Sequence, residues 1–335
     1  MQPIHGGRLN EAVKRWKIPH AQWLDLSTGI NPNGWPVPPI PAHIWQRLPE
    51  ADDGLKAVIR EWSGIPQQAD CEPVAGSQAA IMVLPRLRAL CRVGIPSVGY
   101  REHEYSWRQA GHQIVAITSA QTSSNDDSWL DELDVLVWIN PNNPTGELIA
   151  PATLLRWQQR LQQRGGWLIV DEAFMDAMPE LSLCAYAGRP GLIILRSLGK
   201  FYGLAGVRAG VVCSTPSMIE SVRQLLGPWS LSGPTRYVMA QALQDHAWHR
   251  QTRLRLQHDT QRLAHILQTA GLKSLGGTVL FQTIQTDTPI ELAEQLAAQG
   301  ILVRTFEQPG MLRFGLAADE QQWQRLVEAL ARSAQ

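Results

Sequence analysis

One lysine stands in a glycine-rich turn that directly follows an apolar run. Lys200 ends the stretch Arg-Ser-Leu-Gly-Lys after the run LIIL, and Phe-Tyr-Gly-Leu-Ala-Gly follows it. A lysine held close to the backbone at a strand end is partly desolvated, which favours a neutral amine that attacks carbonyl groups. Taken alone, the pattern also fits a solvated surface lysine.

Three polar motifs accompany Lys200 along the chain. Asn143 lies in Asn140-Pro-Asn-Asn-Pro-Thr-Gly146, a turn after an apolar run; Asp171 ends the run WLIV; and Gly76-Ser-Gln78 precedes an apolar helical pattern. They could present an amide, a carboxylate and phosphate-binding N–H groups to one ligand. Taken singly, each also fits a structural role, as a plain turn, a capping carboxylate or a serine N-cap.

The elements that must position these residues alternate along the middle of the chain. Apolar, β-branched runs flanked by turn residues predict strands buried on both faces, over residues 111–117, 134–140, 167–173, 192–197 and 209–214. Leucine and tryptophan at helical spacing predict a helix over residues 152–164. This βαβ rhythm predicts an α/β fold with a mostly parallel sheet, in which ligands bind at the carboxyl ends of the strands.

The chain changes character after Gly227-Pro228. Long helical patterns run to Gly271, and strand patterns over residues 278–286, 301–306 and 311–316 alternate with helical patterns to the C-terminus. We therefore predict three parts. They are an N-terminal segment (residues 1–45) that packs on the small domain, a large domain (residues 46–228) and a small α+β domain (residues 229–335).

The composition limits the classes of function. Lysine plus arginine equals aspartate plus glutamate, at 30 each, so nucleic acid is not expected as the main ligand. The four cysteines form no CxxC pair, which predicts no metal site and thiols in a reducing cytosol. The stretch from Met1 to Lys17 lacks a secretory core, and no apolar run approaches the about 20 residues of a membrane span. We expect a cytoplasmic protein with no membrane partner.

In their order and spacing, these motifs together resemble the pyridoxal 5′-phosphate (PLP)-dependent aminotransferase superfamily of fold type I. The shared pattern is Gly-Ser-Gln, Asn-Asn-Pro-Thr-Gly, Asp-x-Ala-aromatic, Ser-x-x-Lys and Arg, and it covers nearly the whole chain from His5 onward. The resemblance implies a large PLP-binding domain whose mostly parallel sheet is flanked by helices, a smaller α+β domain, and PLP as the cofactor.

The resemblance also implies a role for each motif residue. Lys200 matches the lysine that forms a Schiff base with PLP and later returns a proton, and Asp171 matches the carboxylate that keeps the pyridine nitrogen protonated. Asn143 matches the residue that hydrogen-bonds the ring oxygen. Tyr100 is similar in spacing to the ring-stacking aromatic, with core packing as its alternative. The residues that match the phosphate ligands are Gly76, Ser77, Gln78, Ser197 and Arg208.

The same resemblance implies the substrate ligands. Arg313, in Met-Leu-Arg-Phe-Gly, matches the arginine that binds the substrate α-carboxylate, and Asn143 is a further candidate. The resemblance also implies candidate ligands for a second anionic group of the substrate. For the histidine and the arginine among them, an ordinary surface position is the alternative. Those candidates are His5, Gly6, Asn31 and Arg304.

The fold alone does not choose the reaction. Within the superfamily the chain resembles the branch of histidinol-phosphate aminotransferases and of the L-threonine-O-3-phosphate decarboxylases of cobalamin synthesis. Three features favour the decarboxylases: the opening His5-Gly-Gly7, Phe174 where the aminotransferases usually carry a tyrosine, and Pro228-Trp-Ser-Leu-Ser232. The expected reaction is decarboxylation of L-threonine O-3-phosphate to (R)-1-amino-2-propanol O-2-phosphate. An aminotransferase of phosphorylated or aromatic amino substrates is the alternative, and a non-catalytic PLP-binding module is a minor one.

Two positions depart from the pattern of the resemblance. Leu48, in Leu-Pro-Glu, stands where relatives commonly have the tyrosine of Tyr-Pro-Asp, which normally reaches the cofactor phosphate of the neighbouring subunit. Ser232 stands where a side-chain amide is frequent. We expect a homodimer, with a phosphate site that receives less help from the partner than usual.

Overall fold

The computed structural model describes residue 3, residues 5–124 and residues 126–333. The strands are β1 (Leu24–Asp25), β2 (Asp70–Val74), β3 (Arg92–Pro96), β4 (Gln113–Ile117), β5 (Val135–Ile139), β6 (Trp167–Asp171), β7 (Leu192–Ser197), β8 (Gly210–Ser214), β9 (Ser274–Thr278), β10 (Phe281–Gln285), β11 (Ile301–Leu302), β12 (Arg304–Phe306) and β13 (Met311–Gly315). The α-helices are α1 (Leu9–Trp16), α2 (Ala42–Gln46), α3 (Leu55–Ser63), α4 (Ser77–Val83), α5 (Arg101–Gln109), α6 (Ser119–Thr122), α7 (Pro151–Gln162), α8 (Pro216–Leu226), α9 (Gly233–Gln244), α10 (His246–Thr269), α11 (Pro289–Ala298) and α12 (Glu320–Ser333).

The chain divides into two compact units. Unit 1 contains residues 1–34, 144–147 and 249–335, and unit 2 contains residues 35–143 and 148–248. The sequence-based division at residues 45 and 228 differs, because residues 35–45 and 229–248 belong to unit 2. The reason is packing: α2 and α3 both contact α9, and a Cβ on Gly233 would lie 2.7 Å from the carbonyl oxygen of Ile44.

Unit 2 is built on a seven-stranded sheet in the order β2-β8-β7-β6-β5-β3-β4. β8 runs antiparallel to both of its neighbours, and the other pairs are parallel. The mostly parallel α/β sheet predicted from the sequence is therefore confirmed. The predicted runs form β4 to β8, and all five residues of β5 are buried, as continuous apolar strands between helices require.

Two strands of this sheet were not predicted from the sequence. β2 reads Asp-Cys-Glu-Pro-Val and β3 reads Arg-Val-Gly-Ile-Pro, so charged residues, glycine and proline interrupt their apolar runs. Proline is tolerated in β2 because this strand lies at the edge of the sheet.

Strand register aligns the carboxyl ends of several strands at one edge of this sheet. Asp171, the last residue of β6, pairs with Ile139 at the end of β5 and with Leu195 near the end of β7. Gly210, the first residue of the antiparallel β8, pairs with both Val74 and Ser197. The loops after β2, β5, β6 and β7 therefore begin at this one edge, where α/β sheets bind ligands.

Unit 1 contains a four-stranded antiparallel sheet in the order β12-β13-β10-β9 and a parallel pair of β1 with β11. Two predicted strands are divided in the structure. Residues 301–306 form β11 and β12, which belong to different sheets, because β11 pairs with the N-terminal β1. Residues 278–286 contain a hairpin turn between β9 and β10. Local apolar patterning could not separate these pieces, since pairing partners decide where each strand ends.

In the part of the chain that the structure describes, no helix has the combination of length and apolar character that crossing a bilayer requires.

Candidate active site

Lys200 lies in the turn after β7, at the edge of the sheet in unit 2. The Leu198 N–H donates to the Ala209 carbonyl at 3.0 Å, and the Gly203 N–H donates to the Lys200 carbonyl at 3.1 Å. The Lys200 side chain is half-buried, and Nζ lies 5.7 Å from the centroid of the buried Phe174 ring. The turn is therefore closed by backbone bonds while the amine contacts an aromatic face, as the partly desolvated lysine of the sequence prediction requires.

Asp171 ends β6 as a buried carboxylate, 3% exposed. Its Oδ1 accepts the Ala173 N–H at 3.1 Å, and its Oδ2 lies 2.8 Å from Nε2 of His103 on α5, a hydrogen-bond distance between two buried groups. Sequence reasoning missed His103. The available signal was its spacing from Tyr100: residues three apart share a helix face, and the two rings meet edge to face with centroids 6.2 Å apart.

Gly76 leaves room for an arginine beside the start of α4. Its φ is 72°, and a Cβ there would lie only 2.7 Å from Nη2 of Arg208. A Cβ on Gly210 would likewise lie 2.6 Å from the Ser77 nitrogen. The two glycines therefore allow a guanidinium and a helix-start N–H to approach closely, with Ser197 at the end of β7 on the same sheet edge. Donors of these types in one cradle suit a phosphate dianion.

The side chain of Gln78 is held by two neighbours. Its Nε2 donates to Oε2 of the buried Glu102 at 2.7 Å, and its Oε1 accepts the Tyr100 hydroxyl at 3.3 Å. Burial raises the pKa of Tyr100, as do the charges of Glu102 and Asp171, while Arg208 lowers it. Gln78 therefore helps to fix the Tyr100 ring beside the charged groups of this edge, a contact that the sequence did not indicate.

The Asn143 turn follows β5, next to Asp171 in the sheet. The Asn140 side chain makes two hydrogen bonds with the main chain of Ile149, at 2.8 and 3.1 Å. Asn142 Nδ2 donates to the Val98 carbonyl at 2.8 Å, in the loop before Tyr100. These bonds close the turn and leave Asn143 half-buried at its tip, so its amide is carried on rigid backbone.

A buried ionic network lies directly behind two residues of this edge. Glu172 follows Asp171, the last residue of β6. Arg196 precedes Ser197 within β7, where neighbouring residues point to opposite faces. Arg196 Nη2 donates to Asp176 Oδ1 at 2.7 Å, and Nη1 lies 3.6 Å from Glu172 Oε2. Burial raises the pKa of Glu172 to about 8, against the opposite effect of Arg196. The network ties the ends of β6 and β7 together.

Arg313 is a buried arginine of unit 1. Its Nη2 donates to the Ser27 carbonyl at 2.6 Å, and Arg304 is its cross-strand partner in β12 and β13. Burial and the charge of Arg304 together lower the pKa of Arg313 to about 9, against the opposite effect of Asp25. Two like charges side by side in a desolvated place are unfavourable unless an anion balances them. The pair therefore has the charge of an anion-binding site.

The predicted N-terminal ligands lie on the segment that holds Arg313. The Gly7 N–H donates to Ser27 Oγ at 2.7 Å, and Ser27 Oγ donates to Asp25 Oδ1 at 2.6 Å. A Cβ on Gly6 would lie 2.3 Å from the Ser27 carbonyl oxygen, so only glycine fits there. His5 is exposed beside it. Gly6 therefore lies against Ser27, whose carbonyl accepts the hydrogen bond from Arg313, and His5 is next to Gly6 in the chain. The sequence analysis did not select Ser27 or Asp25.

Asn31 is buried further along the same segment, 2% exposed. Arg255 on α10 donates to its Oδ1 at 3.0 Å. The two sets of predicted ligands therefore lie in different units. The candidate cofactor ligands lie in unit 2, and they are Gly76, Ser77, Gln78, Tyr100, Asn143, Asp171, Ser197, Lys200 and Arg208. The candidate anion ligands lie in unit 1, and they are His5, Gly6, Asn31, Arg304 and Arg313.

Sequence comparison identifies relatives over almost the full chain. The family model for aminotransferases of class I and II matches residues 62–330. The chain is 50% identical over 326 residues to the threonine-phosphate decarboxylase of Pseudomonas aeruginosa, covering 97% of this chain and 96% of the relative. It is 37% identical to the threonine-phosphate decarboxylase of a Sinorhizobium species, covering 98% of both chains.

The fold is also similar to that of solved structures. The histidinol-phosphate aminotransferase of Clostridium acetobutylicum superposes with a TM-score of 0.80 at 19% identity, covering 93% of this chain and 99% of the other. At this identity the likeness concerns the fold alone.

Proposed function

The chain belongs to the family of class I and II aminotransferases, and we propose that within it the protein is a PLP-dependent carboxy-lyase. The proposed reaction is decarboxylation of L-threonine O-3-phosphate to (R)-1-amino-2-propanol O-2-phosphate, for cobalamin biosynthesis. The observation that carries this proposal is the 50% identity to a threonine-phosphate decarboxylase along nearly the whole of both chains. A second relative of the same name is similar over the full length at 37% identity.

The residues of unit 2 fit PLP by chemistry and by space. The cradle of Gly76, Ser77 and Arg208 suits the cofactor phosphate, because the missing Cβ at Gly76 lets the Arg208 guanidinium lie against the start of α4. Asp171 supplies a buried carboxylate for the pyridine nitrogen, and Lys200 supplies the amine for the aldehyde. When bound, PLP accepts the electron pair of the bond that breaks at the substrate Cα.

Asp171 and its support have an electrostatic role in this proposal. A buried carboxylate stabilises a proton on the ring nitrogen, and it does so best when its own orientation is fixed beforehand. His103 and the Ala173 N–H each hold one oxygen of Asp171. Both contacts come from groups of the protein itself, so the fold fixes the orientation of Asp171.

Unit 1 would bind the two anionic groups of the substrate. The enzyme would select decarboxylation by fixing the torsion about the N–Cα bond of the substrate. Arg313 is proposed to hold the carboxylate, and His5, Asn31 and Arg304 are proposed to hold the phosphate. The like-charged pair of Arg304 and Arg313 supports an anion there. Two fixed ends restrict rotation about the N–Cα bond.

Lys200 has a second role after CO2 leaves. The carbon that loses the carboxylate must gain a proton, and the Nζ ammonium of Lys200 is the proposed donor. Phe174 presents only a ring face to this amine, at 5.7 Å. A phenylalanine offers no hydroxyl to compete for the proton, which supports the position of Lys200 as the proton carrier.

A direct assay tests the reaction. Purified protein loaded with PLP is incubated with threonine phosphate and no keto acid, and CO2 and aminopropanol phosphate are measured. We expect both products from the wild type and negligible turnover from Lys200→Ala. Faster amino transfer from glutamate to a keto acid than CO2 release from threonine phosphate would instead identify an aminotransferase. Borohydride reduction should fix the cofactor to Lys200, and peptide mapping to another lysine would contradict the assignment.

We also propose that the protein is a cytoplasmic homodimer. Leu48, which stands where relatives commonly have the tyrosine that reaches the neighbouring subunit, is one of several exposed large apolar side chains of unit 2: Trp45 at 64%, Leu48 at 63% and Trp229 at 60%. A second copy of the chain would cover such a surface. The free cysteines fit a reducing compartment. Light scattering at micromolar concentration tests the dimer, and a fully active monomer would contradict it.

A further inference from the structure

An arginine on α10 holds the amide of Asn31. Arg255 Nη2 donates to Asn31 Oδ1 at 3.0 Å and to the Asn33 carbonyl at 3.2 Å. The Asn33 N–H donates to the same Asn31 oxygen at 3.0 Å, which forms an Asx turn. The amide oxygen therefore receives two hydrogen bonds, and one of them comes from a cation.

These two donors decide which edge of the amide faces them. A guanidinium and a backbone N–H can donate but cannot accept. An amide turned end for end would point its own N–H groups at both donors and lose two hydrogen bonds in a buried place. The N–H edge of Asn31 is therefore directed away from Arg255. A donor edge held in this way suits an anionic acceptor.

The surroundings of Arg255 act on its pKa in opposite directions. Burial lowers the pKa of Arg255, and the carboxylate of Asp259 opposes that effect. Asp259 Oδ2 lies 3.5 Å from Nη1, so the charge is only partly balanced. An Asx turn by itself needs no cation. The guanidinium of Arg255 adds to the turn by excluding the reversed Asn31 amide, because it can only donate. A neutral amide or a water molecule in its place could also accept a hydrogen bond from the reversed amide.

The chain segment that carries Asn31 also carries two residues that interact with Arg313. Ser27, four residues before Asn31, accepts a hydrogen bond from Arg313 at 2.6 Å through its carbonyl oxygen. Asp25, at the start of the segment, acts on the pKa of Arg313. The oriented amide and the buried guanidinium are therefore attached to one short segment of unit 1.

We propose that Arg255 is a positioning residue that holds the Asn31 N–H groups toward an anionic group of the substrate. It would act through Asn31 and set the affinity for the phosphorylated amino acid. This inference rests on the proposed function, in which Asn31 is one of the substrate ligands.

A double-mutant cycle on the PLP-loaded enzyme tests the coupling, with CO2 release measured over a range of threonine phosphate concentrations. Asn31→Ala should raise KM at least about tenfold, and Arg255→Gln at least about threefold, with kcat within about twofold. Arg255→Gln keeps a polar side chain but can accept as well as donate, so it no longer excludes the turned amide. The double variant should have the KM of Asn31→Ala, because Arg255 acts only through that amide.

Two further variants separate positioning from general support of the fold. Arg255→Lys retains a donor-only cation and should restore most of the wild-type KM. Arg262→Met is the matched control on the same helix: it removes hydrogen bonds to Glu320 at 2.6 and 2.7 Å and should leave KM unchanged. A wild-type KM for Arg255→Gln, or a double variant whose KM effect is the product of the single effects, would overturn the inference alone. A wild type that releases no CO2 would overturn the proposed function and the inference with it.

Discussion

Replacing Gly76 by alanine places a methyl group against the guanidinium of Arg208. The new Cβ would lie 2.7 Å from Nη2 and 3.2 Å from Cζ. Ordinary contacts between carbon atoms begin at about 3.5 Å, so the guanidinium must withdraw or the backbone must shift. Arg208 Nη1 already donates to the Ala205 carbonyl at 3.1 Å, and its own backbone is left-handed with φ 56°. Both features restrict the withdrawal.

The expected loss has two separable parts. A displaced guanidinium weakens a charge-assisted hydrogen bond worth about 1.5–3 kcal/mol, so the dissociation constant for PLP should rise about 10- to 150-fold. The second part is strain in the protein without cofactor. At φ 72° and ψ 158° Gly76 adopts a conformation that other residues avoid, so Gly76→Ala should lower the free energy of unfolding by about 1–3 kcal/mol.

Absorbance titration of the apoprotein with PLP measures the first part, and urea unfolding of the apoprotein measures the second. Gly206→Ala is the matched control, because a Cβ at Gly206 would meet open space; both quantities should stay near the wild-type values. In an Arg208→Met background, Gly76→Ala should weaken PLP binding much less. An equal loss in both backgrounds, or PLP affinity within about twofold of wild type for Gly76→Ala, would refute the role of the guanidinium.

Three other perturbations address the remaining groups. His103→Leu removes the 2.8 Å partner of Asp171, so we expect a free energy of unfolding lower by about 1.5–3 kcal/mol in urea and a kcat lower by at least about tenfold; an unchanged kcat would show that Asp171 needs no such support. Burial raises the pKa of Glu172 from 4.5 to about 8, so its contribution to stability is present below the unfolded pKa and is lost as pH rises through the folded value. The wild type should therefore lose stability relative to Glu172→Gln between about pH 5 and about pH 9 in urea unfolding, and a constant difference would contradict the raised pKa. Arg304→Ala should reduce kcat/KM for threonine phosphate at least about tenfold with little change in PLP affinity, whereas an intact preference for threonine phosphate over threonine would place the phosphate ligand elsewhere.

The local sequence predicted much of the fold and the candidate cofactor residues. β5 to β8 were readable because strands buried between two helical layers must be apolar along their whole length. Lys200, Asp171 and Asn143 could be selected because Asp171 ends such a strand and the other two lie in the turns after such strands. Parallel strands bring their carboxyl ends to one edge. These signals depend only on residues that are close together in the sequence, so they can be recognised without knowing which distant segments pack together.

The unit boundaries needed the folded structure. Residues 35–45 and 229–248 belong to unit 2 because α2 and α3 pack against α9, a contact between segments far apart in the chain. Composition changes near residue 228, but packing places the division after residue 248. The division of residues 301–306 between two sheets has the same origin, since β11 ends where its partner β1 ends.

The residues that hold the candidate ligands in place were also decided by tertiary structure. His103 and Asp171 are 68 positions apart, Arg255 and Asn31 are 224 apart, and Arg313 reaches Ser27 across 286 positions. The sequence by itself determined which polar groups would stand at strand ends, because that depends on neighbouring residues. A buried polar group also needs a hydrogen-bond partner, but packing selects that partner from anywhere in the chain, and no local spacing records the choice.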